Sequence, residues 1–349
     1  MKIARSIIFF MGAIAICMYT CAWWGYSQSN PQQKALSRET HKQVSDIDTS
    51  ALVYPYYEWL AKDTAIAWLR KKDGSLVAAS ISGSPYIERH ISGLPYSLLH
   101  QTQQPYGFKM SPDENKVLYL LGGRGGPAET WRVGTLNGTG YISGDLLPIE
   151  HWPHLVWKRD SKGWVGLVGS SFSISAVHYN IDSITPPRLV PINDFTPDPV
   201  TEILGIREDG IAVVPSWKTG QLGPVNIYLV DIDRGRVLPG IHKAILPERA
   251  HVWEMCISHR GDRIAWLLHT GIDQSSRSEH ELASLAEVWV SNSDGSKLQK
   301  LHGFAPVVLY EREIDGEYSP RILRWTKDDT AISYIQDHAL DIVQLATRQ

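Results

Sequence analysis

Six times along the chain the same pattern of polar and apolar positions returns. An apolar residue leads into a short polar cluster containing Asp, and a β-rich apolar run follows. The copies are WLAKDTAIAWL from Trp59, MSPDENKVLYL from Met110, WKRDSKGWVGLV from Trp157, IREDGIAVV from Ile206, ISHRGDRIAWLL from Ile257 and WTKDDTAISYI from Trp325. Their starts lie 51, 47, 49, 51 and 68 residues apart. A fixed period near fifty marks a repeat architecture.

Each phrase predicts a β-hairpin. Gly, Asn and Asp tolerate left-handed backbone, and Asp and Asn side chains bond nearby amides, so the polar cluster is a tight turn. The flanking Ile, Val, Leu, Trp and Tyr suit strands. A third strand is expected at 75–81, 129–136, 175–181, 226–232, 287–293 and 339–345. Turn signals such as Asn137-Gly138 and Asp294-Gly295 follow several of these, and a weaker fourth strand closes the unit, as at Lys297–Leu301. Four antiparallel strands in about fifty residues make a propeller blade. No long stretch has a helical period. A two-sheet sandwich would not need six copies of one phrase at near-constant spacing. The expectation is an all-β, six-bladed β-propeller spanning residues 51–349.

The last unit has no room for a fourth strand after Ala339–Leu345. Ala51-Leu52-Val53-Tyr54 is β-prone and unclaimed by any other unit. This N-terminal strand is therefore expected to complete the sixth blade and close the ring, which removes exposed sheet edges.

Upstream, Lys2 and Arg5 precede an uncharged run from Ile7 to Tyr26. That is the form of an export signal, and its length also suits a membrane anchor. Residues 1–26 are expected to be a signal peptide or N-terminal anchor, with the bulk of the chain outside the cytoplasm. Thr20-Cys21-Ala22 would serve as a cleavage site, and Cys21 is a candidate for lipidation, although Met18-Tyr19-Thr20 matches a lipobox poorly. Residues 27–50 are polar and read as a spacer; a short helix over Gln33–Val44 would not alter that.

Composition narrows the function classes. The 349 residues are 43% hydrophobic, which excludes disorder throughout, and a net charge of -3 gives no field for nucleic acid. Outside the leader Cys256 stands alone, so neither an intradomain disulfide nor a Cys-pair zinc site is available. The aromatic balance is unusual, with 13 Trp and 15 Tyr against 6 Phe. Trp59, Trp157 and Trp325 open hairpin phrases, and Trp68, Trp266 and Tyr119 fall near the ends of second strands, so packing between blades explains much of the excess. Sugar stacking by exposed Trp is the competing idea.

The phrase resembles the Ser-Pro-Asp-Gly repeat of TolB-like β-propellers. Ser111-Pro112-Asp113 within MSPDENKVLYL is the nearest copy, and ISHRGDRIAWLL with EVWVSNSDGSKLQKL resembles the whole blade pattern. The other units are degenerate. The resemblance covers about residues 51 to 345 and is specific for architecture. It implies an extracytoplasmic protein-interaction scaffold and says almost nothing about chemistry.

In such a blade the 1–2 and 3–4 turns share one face of the disk. The 2–3 loops and the links between blades share the other. The second set is longer here and includes 122–129, 215–225 and 269–286, so that face is the expected site. Arg124 lies in a glycine-rich loop that lacks the ending of a phosphate loop. Trp217 and Lys218 offer an aromatic and a cationic contact. Arg277 and His280, in the longest insertion, are candidates for recognition. These five are the candidate partner-binding residues, each weighed against an ordinary solvated loop. His151 and His154 are spaced three apart, but Pro153 argues against a helix that would make them a metal pair. No Gly-x-Ser-x-Gly elbow and no His-Glu-x-x-His helix occur. The expected function is a non-enzymatic scaffold for a protein or envelope ligand, with no cofactor, metal or catalytic residue assigned. A propeller enzyme acting on glycans or another small substrate is the alternative.

Overall fold

A computed structural model describes residues 41–44, 52–60, 65–70, 76–80, 88–92, 104–122, 130–135, 141–142, 155–170, 173–181, 187–193, 195, 198, 200–217, 223–240, 242–248, 250–269, 286–302, 323–336 and 339–345. Its strands make six antiparallel sheets within the compact unit His41–Val343, with Gln344 at its border. Strand β1 is His41–Val44. Sheet 1 holds β2 (Leu52–Trp59), β3 (Ala65–Arg70), β4 (Leu76–Ser80) and β5 (Glu88–Ser92). Sheet 2 holds β6 (Gln104–Met110), β7 (Lys116–Gly122), β8 (Thr130–Thr135) and β9 (Tyr141–Ile142). Sheet 3 holds β10 (Val156–Trp157), β11 (Gly163–Ser170), β12 (Ser173–Asn180) and β13 (Arg188–Ile192). Sheet 4 holds β14 (Val200–Thr201), β15 (Gly205–Ile206), β16 (Ala212–Trp217), β17 (Val225–Asp231), β18 (Arg236–Val237) and β19 (His242–Ala244). Sheet 5 holds β20 (His251–Ile257), β21 (Arg263–His269), β22 (Ala286–Asn292) and β23 (Gln299–His302). Sheet 6 holds β24 (Arg324–Trp325), β25 (Ala331–Gln336) and β26 (Ala339–Gln344), and β1 lies beside β26.

Every hairpin phrase joins two paired strands: β2 and β3, β6 and β7, β10 and β11, β15 and β16, β20 and β21, and β24 and β25. The expected third strands fall on β4, β8, β12, β17, β22 and β26. The N-terminal strand differs from expectation. Leu52, Val53 and Tyr54 belong to β2, where Leu52 faces Arg70 of β3. The strand against β26 is His41–Val44, with His41 opposite Val343 and Val44 opposite Leu340. It lies in the segment read as a spacer and in the stretch given to a helix. The reason is physical: β1 pairs through its backbone at the end of a sheet, and such pairing needs little hydrophobic signal in HKQV.

The strands bury both faces, which is why they read as apolar runs rather than strict alternation. In sheet 4, Ala212, Val214, Tyr228 and Val230 join a core with Val165, Leu167, Ile174 and Ala176 of sheet 3. Their neighbours in sequence, Val213, Ile227 and Leu229, join a separate core with Met255, Ile264, Trp266 and Leu268 of sheet 5. Successive side chains thus serve opposite neighbours, following the period of two.

The tryptophans at the phrase openings add direction to this packing. Trp157 donates its indole N–H to the Lys109 carbonyl of sheet 2 at 2.9 Å, and Trp325 donates to the Cys256 carbonyl of sheet 5 at 3.0 Å. The acceptors occupy the same place in their phrases, one residue before the opening position. Trp59 donates to Ser333 Oγ of sheet 6 at 2.7 Å, and the Tyr57 hydroxyl shares a hydrogen bond with the same oxygen at 2.7 Å. Sheets 1 and 6, first and last in sequence, are therefore in contact. Arg324 ties them to sheet 5. Its guanidinium is buried and donates to the carbonyls of Tyr57 at 3.0 Å and Leu323 at 2.8 Å. It also faces Glu254 at 3.6 Å and Glu58 at 3.8 Å.

Five of the 1–2 turns share one conformation. In each, the fourth residue donates its N–H to the carbonyl of the first: Glu114 to Ser111, Ser161 to Lys158, Gly210 to Arg207, Gly261 to Ser258 and Asp329 to Thr326. These five donors all have left-handed φ, between 56° and 81°. Only Gly261 is also held to glycine by space, because a Cβ there would lie 2.6 Å from Arg207 Cα. Opening hydroxyls tighten three turns. Ser111, Ser258 and Thr326 each donate to an Asp within the turn, at 2.6, 2.8 and 2.8 Å.

The turns also bind one another. The buried Asp329 carboxylate accepts the backbone N–H of His259 at 2.6 Å and of Arg260 at 2.8 Å. Burial acts to raise the Asp329 pKa, but these bonds and the His259 ring outweigh it and hold the carboxyl below its usual range. The depressed value contributes stability that is present above about pH 4 and is lost as pH falls through the folded-state pKa.

Three outcomes are expected. Deleting residues 41–44 lowers the melting temperature by several degrees, because the backbone of β26 loses its partner; an unchanged melting curve overturns the role of β1. Trp325→Phe keeps the ring but strands the Cys256 carbonyl, and urea unfolding registers a loss of about 1–3 kcal/mol. Asp329→Asn, which tolerates left-handed backbone, costs about 1–3 kcal/mol at pH 7. Its deficit against the unsubstituted protein shrinks in melts as pH falls below about 4, where the unfolded carboxyl binds a proton that the folded one resists.

Candidate functional site

The two ends of the sheets differ in how their polar groups are used. At the turn end, bonds run between neighbouring and distant sheets alike. Asp113 donates its backbone N–H to Ser161 Oγ at 3.0 Å, joining sheets 2 and 3. Arg159 of sheet 3 donates to the carbonyls of Ile206 in sheet 4 at 3.3 Å and His259 in sheet 5 at 2.5 Å. Lys327 of sheet 6 meets Glu114 of sheet 2 at 3.5 Å. Contacts that skip over intervening sheets require the turns to converge. The repeated Asp carboxylates, by contrast, mostly brace their own turns: those of Asp113, Asp160, Asp209 and Asp328 accept the backbone N–H of Asn115, Lys162, Ile211 and Thr330.

The opposite end carries a pocket of about 280 Å³ at sheet 4. Trp217 at the end of β16, Gly223 and Pro224, and Val225 and Asn226 at the start of β17 supply one side. Lys243 of β19, Leu246, and His251 and Val252 at the start of β20 supply the other, with Asp198 ahead of β14. It therefore sits between a 2–3 loop and a link from one sheet to the next.

Asp198 is fixed by a closed chain of hydrogen bonds. Its backbone N–H donates to Ser216 Oγ at 2.7 Å, the Ser216 and Thr201 hydroxyls bond at 2.9 Å, and Thr201 donates back to the Asp198 carbonyl at 2.8 Å. With Thr201 committed as donor to the carbonyl, Ser216 must be the donor of the middle bond. Asn226 Nδ2 donates to the Asp198 carboxylate at 3.3 Å, and Asn226 lies opposite Lys243 in the β17–β19 pair. Nearby Tyr228 has its phenol pKa raised by burial first and by the Asp198 charge second. Its ring meets Phe195 edge-on at 4.7 Å, closing the core beneath. Trp217 and Leu246 rest against the apolar core shared by sheets 4 and 5. Ile245, next to this wall, is 70% exposed.

Among the residues singled out from sequence, Trp217 lies on the pocket wall. Cys21, Arg124, Lys218, Arg277 and His280 lie outside the described residues, as do His151 and His154. Asp198, Asn226, Lys243 and His251 were not singled out. Asp198 sits between Pro197 and Pro199, and Lys243 and His251 fall in or beside the sheet 4 to sheet 5 link. The rule that such links share a face with the 2–3 loops contains the only signal for them. Cys256 retains some surface, yet burial pushes its thiol up to about 12, so it stays protonated and unreactive.

No family model matches the sequence, and no curated protein matches it. Solved structures do share its fold. An oligogalacturonate lyase in complex with manganese has a TM-score of 0.50 at 13% identity, covering 83% of this chain and 76% of that one. The C-terminal WD40 domain of Sif2 gives 0.49 at 12% identity, covering 88% and 99%. TolB from Acinetobacter baumannii gives 0.46 at 11% identity, covering 77% of this chain and 59% of TolB. The fold is a β-propeller. At these identities the likeness extends to architecture alone.

Proposed function

We propose that this chain is an extracytoplasmic β-propeller that acts as a binding scaffold for a protein or cell-envelope ligand. In this reading the six sheets are six blades of one ring, closed by β1 against β26. Residues 1–26 export the chain or hold it at the membrane. The spacer then ends near residue 40, and the propeller begins with β1.

One observation carries the reading. Polar groups at the turn end bind each other across sheets, as with Asp329 to His259 and Arg159 to His259, whereas the loop end presents a formed pocket beside Trp217. A rigid frame stitched at one end and furnished with varied loops at the other is suited to recognition. The apolar Ile245 and Pro224 are exposed beside the pocket, as expected of a contact surface.

The test is affinity capture of cross-linked partners from the envelope fraction of the native host, using the full chain and a form lacking residues 270–284. The chain itself is expected in that fraction. A defined partner is expected with the full chain and with a turn-end control, Glu208→Ala, and is expected to be lost with the deletion. Recovery of the chain in the cytoplasm with Met1 intact overturns the export reading. A partner retained by the deletion and lost with the turn-end control overturns the assignment of the face.

A further inference from the structure

The pocket at sheet 4 has a chemical character more specific than a contact surface. Its polar side chains are a carboxylate, an amide, an ammonium and an imidazole: Asp198, Asn226, Lys243 and His251. The carboxylate only accepts hydrogen bonds and the ammonium only donates them, while the amide and imidazole do both. The two formal charges are opposite, so the site imposes no net charge on what enters. An anion would meet Asp198 and a cation would meet Lys243. The remaining wall is apolar, formed by Trp217, Leu246 and Val252 among others.

A group that matches this is uncharged, carries several hydroxyls that each donate and accept, and has one apolar face. A pyranose ring has that form: equatorial hydroxyls at its rim and axial C–H bonds on its face. C–H groups of slight positive character suit the negative face of an indole. The volume, about 280 Å³, lies near the lower bound for small-molecule pockets and suits one or two rings rather than a long chain.

Pre-organisation supports binding as well. The chain of bonds through Ser216 and Thr201 fixes the Asp198 backbone before any ligand arrives, and Ser216 is fully buried. Asn226 is tied to the carboxylate it would share with a ligand hydroxyl. A polar group already held in place loses little freedom on binding, which lowers the entropic cost.

We propose that the pocket formed by Asp198, Trp217, Asn226, Lys243 and His251 binds one or two uncharged pyranose units, either as a free sugar or as part of a glycan. Trp217 supplies the wall for the ring, and the four polar side chains take its hydroxyls. No covalent step is involved. The proposal rests on the binding-scaffold reading and names a ligand class for the same face.

The test uses the purified full chain in calorimetric titrations with glucose, galactose, N-acetylglucosamine and their β-linked dimers and tetramers. Glycine and a dipeptide serve as zwitterionic controls. Saturable binding of at least one sugar is expected, with the tetramer no more than a few-fold better than the dimer. Trp217→Ala is expected to weaken it tenfold or more while Trp217→Phe restores much of the loss, and Asn226→Ala to weaken it several-fold. Melting curves establish that the variants are folded. If the folded protein binds no sugar at millimolar concentration, or binds the zwitterions instead, the pyranose assignment is overturned. Sugar binding untouched by Trp217→Ala overturns the location. Loss of sugar binding alongside intact, loop-dependent partner capture would remove this inference and leave the scaffold reading standing; failure of both would remove both.

Discussion

Sheets 3 and 4 each have two apolar faces, and neither can be left to water. Everything else follows from the need to cover both. In sheet 4, Val214 and Val213 are adjacent in sequence yet belong to different cores, one shared with sheet 3 and one with sheet 5. A sheet so built cannot end a stack without exposing a face. Where sheets 1 and 6 meet, Trp59 and Tyr57 lie against Ser333 and help cover such a face.

Apolar burial has no direction, so it does not by itself fix how one sheet sits on the next. Hydrogen bonds across the interfaces supply that. Trp157 and Trp325 reach the equivalent carbonyl of the preceding sheet, and Phe in their place would fill the space without making the bond. This gives a physical reason for Trp rather than Phe at positions 157 and 325. Arg324 is a costlier device. A buried guanidinium must have its donors satisfied, and here two carbonyls and two carboxylates from sheets 1, 5 and 6 surround it. Such a group stabilises one arrangement of three sheets against alternatives in which it would be left unpaired.

The same economy separates the two ends. Short turns with a left-handed fourth residue bring carboxylates and backbone N–H groups of several sheets together, and those groups satisfy each other. The pocket between β16, β17 and β20 arises at the other end, where a 2–3 loop meets a link between sheets. The binding reading depends on this division of labour more than on any single residue.

Much of the fold was legible in the chain. β-rich apolar runs, polar turns and the fifty-residue spacing are signals carried along the chain, and they located the hairpins and third strands of all six sheets. Strand β1 was not legible, because HKQV is recruited by the free backbone edge of β26 and carries no hydrophobic pattern of its own. Within the pocket, Trp217 was visible as an aromatic in a long loop. Asp198, Asn226, Lys243 and His251 were not, since each is an ordinary polar residue in its local sequence. What joins them is the pairing of β17 with β19, the bonds through Ser216 and Thr201, and the approach of β20, contacts between segments up to about fifty residues apart. The repeating unit could be read along the chain, because secondary structure and turns depend on near neighbours. Which strand pairs with the last one, and which polar groups share a site, emerged with the packed fold, because those outcomes depend on distant segments competing for the same edges and donors.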